Sequence, residues 1–109
     1  MALAHASPGQ ALDVRPLGPR LADAKTSALF KSEDLEILRL VLLAGRSFPQ
    51  HKVPGEVTIH CLEGSLDIQL EARSVRLEAG ALLFLTRHTV HAVHAVTDAS
   101  ALVTICLKP

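Results

Sequence analysis

Five of the six histidines, His51, His60, His88, His91 and His94, crowd into the second half of the chain, and only His5 lies in the first fifty residues. Neutral imidazole ligates divalent transition metals, and its charge changes near neutral pH. A cluster of this kind could hold a metal ion, move protons or orient a polar ligand. Spacing narrows the set. His88, His91 and His94 repeat every three residues, which stacks side chains on a helix but divides them between the faces of a strand. On a strand His91 shares a face with Val93 and Ala95, and His88 and His94 become exposed or hydrogen-bonded residues. The two cysteines, Cys61 and Cys106, have no CxxC spacing and read as small buried hydrophobes of a reducing compartment.

Composition removes whole classes of function. Lys plus Arg is 11, Asp plus Glu is 11 and the net charge is zero, so no electrostatic footprint for a phosphate backbone or an anionic lipid is present. With no Trp, no Tyr and three Phe, a base-stacking platform has almost nothing to be built from, and nucleic acid is not an expected partner. The longest apolar run, Leu40 to Ala44, is far short of the roughly 20 residues of a membrane span. Met1 to Gln10 has neither a basic start nor a continuous apolar stretch, so the expected location is the cytoplasm.

The elements that must position the histidines are short strands. Residues 1–25 hold Pro8, Gly9, Pro16, Gly18 and Pro19, a density of breakers that predicts an extended N-terminal arm. Residues 26–109 form one domain of short apolar runs. Its turn signals are Glu63-Gly64-Ser65, Glu71-Ala72-Arg73, Glu78-Ala79-Gly80 and Thr97-Asp98-Ala99-Ser100, a rhythm typical of an all-β sandwich or barrel. Val57 to Cys61 and Leu66 to Leu70 alternate apolar and polar residues with period two, and Leu102 to Leu107 reads as a doubly buried strand. Ser32 to Gly45 is ambiguous. Ser32 could cap a helix that Gly45 ends, or Leu38, Leu40 and Leu42 could form one face of a strand with Ile37, Arg39 and Val41 on the other. The β context downstream favours the strand.

Gly45-Arg46-Ser47-Phe48-Pro49-Gln50-His51 and the stretch on to Gly64 resemble the first motif of the cupins, with Gly45, His51 and Gly64 on its fixed positions. Gly80 to Ala95 is similar to the second motif, with Gly80 and His91 in place. The resemblance covers residues 45–95. It implies a double-stranded β-helix, a small jelly-roll barrel with its site in the barrel mouth, and it settles 35–43 as strand. It also implies a homodimer, with the arm crossing to the partner.

The departures bear on function. The second histidine position of the first motif is Val53 and its glutamate position is Val57, while Thr86, His88 and Ala95 replace the proline, glycine and asparagine of the second. Of the family's metal set, His51 and His91 survive. The resemblance still allows one divalent transition metal (Fe, Mn, Ni or Zn), but two imidazoles hold a metal weakly and tight binding needs a third ligand. His60 is the candidate. It points outward if Val57, Ile59 and Cys61 face the interior, and inward only if Pro54-Gly55 shifts the register by one. The expected ligand pocket is formed by His51, Val53, Val57, Ile59, Cys61, His91 and Val93, and it is apolar with no acid to serve as base, leaving Arg39 or a histidine to move protons. The leading expectation is a module that binds a small organic molecule. A metal-dependent enzyme of the dioxygenase or isomerase type, and a non-catalytic dimer with a vestigial site, are the alternatives.

Overall fold

Period-two alternation becomes nine antiparallel strands in the computed structural model, which describes residues 6–109. They are β1 (Ser27–Lys31), β2 (Leu35–Leu42), β3 (Ser47–His51), β4 (Val57–Glu63), β5 (Ser65–Gln69), β6 (Ser74–Glu78), β7 (Leu82–Leu85), β8 (His91–Ala95) and β9 (Ala99–Cys106). One sheet runs β1-β2-β9-β4-β7 and the other β3-β8-β5-β6, the two-sheet arrangement of a jelly roll. The segment that sequence left between helix and strand is β2, paired along its whole length from Leu35 opposite Cys106 to Leu42 opposite Ala99. Ala99 and Ser100, expected in a turn, already belong to β9.

Leu40, Val57, Ile59, Cys61, Ala101 and Val103 of the larger sheet pack against Leu66, Ile68, Leu77, Val93 and Ala95 of the smaller one. Full burial of each Leu or Ile contributes about 1.5–3 kcal/mol, so this layer dominates the stability of the fold. Gly64 makes the tight β4–β5 turn with φ +76°, and a Cβ there would lie 2.1 Å from the Asp98 carbonyl oxygen. Only glycine fits that position.

The arm is not wholly extended. Gly18–Asp23 wind into a 3-10 helix with a proline in its first turn, where a missing N–H costs nothing, and Leu21 is buried beneath it. The arm lies on the outer face of its own five-stranded sheet. Among the described residues no helix is long and apolar enough to cross a membrane.

Candidate functional site

β3 and β8 are neighbours in the four-stranded sheet, and a bulge between Phe48 and His51 sets His51 directly opposite His91. The two rings meet with centroids 4.4 Å apart and planes inclined by 53°, and the Phe48 ring packs edge-on against His51 at 5.5 Å. His91 Nδ1 lies 3.1 Å from the Thr89 carbonyl and His51 Nδ1 lies 2.9 Å from the Pro49 carbonyl. A carbonyl only accepts, so both Nδ1 atoms carry hydrogen and donate, which leaves a lone pair on each Nε2 of the neutral rings. Burial pushes the His91 imidazole below its ordinary pKa, with the His51 ring adding to the effect against the pull of the Thr89 carbonyl. At 3% exposure it is the more deeply set of the pair.

His60 does not join them. Val57, Ile59 and Cys61 face the core, so no register shift follows Pro54-Gly55, and His60 stands on the opposite face of β4 between Leu82 and Leu102. Among the described residues no three of His, Cys, Asp or Glu come together as a metal-binding group. The pair therefore supplies half of a four-coordinate set, and these residues do not fit a tightly held resident metal.

The expected pocket lining is also rearranged. Val57, Ile59, Cys61 and Val93 are at most 3% exposed and packed in the core, while Val53 is half-buried against its edge. Side chains of the opposing sheet fill the interior that spacing alone leaves open. Space lies elsewhere: a cavity of about 450 Å³ is bounded by Gln50, Val90 and Ala92, the sequence neighbours of the two histidines, with Gln69, Leu70 and Glu71. Ala92 alternates with His91 and Val93, so this cavity and the histidine pair back onto each other across β8. Its lining comes from β3, β5 and β8 and the loops beside them and carries no local motif, so nothing in the sequence announces it.

The remaining histidines have other roles. His94 is hydrogen-bonded through Nδ1 to Ser47 Oγ at 2.7 Å on the outer face of β8. His88 occupies the glycine position of the second motif with φ 63°, a left-handed conformation that His tolerates better than most residues, and its N–H donates to the Val53 carbonyl. His5 lies outside the described residues. Arg39 faces away from the core and holds the arm, so it does not serve the pair. Burial raises the pKa of the Cys61 thiol, in keeping with an inert core residue, and Cys106 is half-buried.

The cupin domain family profile matches residues 38–107, nearly two-thirds of the chain. Among solved structures, an RmlC-like cupin protein from Desulfovibrio desulfuricans is 28% identical with a TM-score of 0.77, over 92% of this chain and 99% of that one. A cupin superfamily protein from Desulfitobacterium hafniense is 19% identical with a TM-score of 0.76, over 89% and 94%. KdgF from Halomonas sp. is 19% identical with a TM-score of 0.68, over 77% and 80%. The last two show the fold alone. No curated protein matches this sequence.

Proposed function

The chain belongs to the cupin domain family, and from that premise we propose that it is a small-molecule-binding module in which His51 and His91 grip a ligand at the barrel mouth. The observation that carries this reading is the paired imidazoles with both Nδ1 atoms tied to backbone carbonyls. Their Nε2 lone pairs accept hydrogen bonds from a hydroxyl or N–H of the ligand, while Phe48 and Val53 offer apolar contact. A small aromatic or short aliphatic alcohol has that chemistry. Such a module needs no acid beside the histidine pair and no metal.

A metal-dependent enzyme is the second reading, and one feature favours it: imidazoles that ligate metals characteristically donate their other N–H to a carbonyl or carboxylate. A weakly held divalent ion on His51 and His91, completed by water, would polarise a bound substrate. Metal analysis of untagged protein, combined with NMR of the histidine rings during titration with phenol and with 1-butanol, separates the readings. The module predicts sub-stoichiometric metal and saturable shifts of the His51 and His91 ring signals that disappear in His51→Ala. Stoichiometric metal lost in both His51→Ala and His91→Ala would replace the module with the enzyme. No ring shift and no metal would leave the site vestigial.

A further inference from the structure

We propose that the cleft between the N-terminal arm and the outer face of the five-stranded sheet binds a small oxyanion, a carboxylate or phosphate group presented by a small molecule. The cleft has a volume of about 460 Å³ and is lined by Asp13, Arg15, Pro16, Leu17, Arg20 and Arg39. Three arginines thus border a space of ligand size.

Arg39 is the base of the site. It projects from β2 on the face opposite Leu38 and Leu40 and is 7% exposed. Its Nη1 donates to the Arg15 carbonyl at 2.9 Å and its Nη2 to the Asp13 carbonyl at 3.2 Å. Those bonds occupy two of five N–H groups. Among the described residues no carboxylate oxygen lies within 4 Å of the Arg39 or Arg20 guanidinium. The nine-tenths-buried guanidinium is hydrogen-bonded by carbonyls alone and feels the Asp13 and Glu63 carboxylates only as charges beyond contact distance, and an oxyanion is the partner that a guanidinium fork recognises best.

The neighbouring charges do not cancel it. Asp13 is already engaged by Arg15, through contacts of 3.0 and 2.8 Å. Glu63 is likewise engaged, accepting from the N–H groups of Leu17 and Gly18 and from Ser100 Oγ. With both carboxylates counted against the three arginines, the surroundings keep one net positive charge. Arg20 lies exposed at the rim, free to close on an anion that enters. A site of this size with three cations, in a chain of zero net charge, suits a small anion and not a polyanion.

The test measures melting temperature and calorimetric binding with inorganic phosphate and with succinate, each against sodium chloride at equal ionic strength. The proposal expects a saturable rise in Tm of a few degrees with at least one of the two anions and a one-site isotherm. A response to phosphate alone assigns a phosphate ester, and a response to succinate alone assigns a carboxylate. Arg20→Gln, exposed and away from the core, should leave the unliganded Tm in place and weaken binding about tenfold. Arg46→Gln, on an exposed turn outside the cleft, should bind as the wild type does. No rise beyond that in chloride, or equal affinity in wild type and Arg20→Gln, overturns the site.

Discussion

An imidazole at 3% exposure is stable only while it is neutral, and His91 is in that position. Its unfolded value is near 6.5 and its folded value is lower, because burial disfavours the charged ring. Between those two values the unfolded chain binds more protons than the folded one, so stability rises with pH there and falls on acidification. Below pH 6.5 the protein should lose stability by at most about 1.4 kcal/mol per pH unit from this group. The loss stops once the pH is below the folded value. Urea midpoints between pH 7.5 and 5 measure the slope, and His91→Gln should flatten it. An unchanged slope in the variant would show that protonation of His91 is not what acid exploits. The same residue shows where sequence was sufficient. His51 and His91 were legible as a pair because fixed motif spacings placed each on a strand, whereas whether the pair opened on a cavity depended on side chains from the other sheet.

Among the elements, the arm is held by a reciprocal clamp. Arg39 takes two carbonyls of residues 13–15, and Glu63 takes the N–H groups of Leu17 and Gly18 at 2.8 and 3.0 Å. Burial pushes the Glu63 carboxyl up, but hydrogen bonds from Ser100, Leu17 and Gly18 and the field of Arg39 together hold it below the ordinary value. Its contribution is therefore present above pH 4.5 and is lost as the pH falls through the folded value, a window separate from that of His91. Glu63→Gln should raise amide exchange at Leu17 and Gly18 and cost about 1 kcal/mol at pH 7, a figure reduced for partial solvent exposure. Unaltered exchange at those amides would mean that the arm is held by Arg39 and Leu21 alone. Nothing local announces this clamp, since its bonds span 24 to 46 residues. Ser32 illustrates the opposite failure, a local signal with two meanings. Its Oγ accepts from the N–H groups of Asp34 and Leu35, as a helix cap would, but it does so in the β1–β2 turn. Pairing with β9, more than sixty residues away, decides for strand, and no window around Ser32 contains β9. The alternation in β4 and β5 was legible because one face of each is core.

For the whole molecule, the outer face of the five-stranded sheet raises the question of a partner. Register aligns two rows across it: Arg39, Leu102, His60 and Leu82 in one, and Ile37, Thr104, Thr58 and Phe84 in the other. The arm covers the Arg39 end. At the β7 end Leu82 is 66% and Phe84 56% exposed, and no Asp, Glu, Lys or Arg stands in either row beyond Arg39. An uncharged, apolar patch on a chain of zero net charge meets no electrostatic penalty against its own copy, and a two-fold axis through it would pair like with like. The homodimer implied by the family resemblance would then use this half of the sheet, with each arm remaining on its own subunit. Sedimentation should give a species of twice 11.7 kDa at micromolar concentration. Leu82→Glu with Phe84→Glu places two like charges on each copy in a desolvated contact and should yield monomers with the same circular dichroism, since both side chains are exposed in the single chain. A wild-type monomer at a concentration of several hundred micromolar, or a dimer that survives both substitutions, would move the interface off this face. Mixing differently labelled copies then tests the arm. If arms stay home, the truncation of residues 1–16 removes the Arg39 carbonyl contacts but leaves the dimer intact, because β4, β7 and β9 supply the contact surface without them.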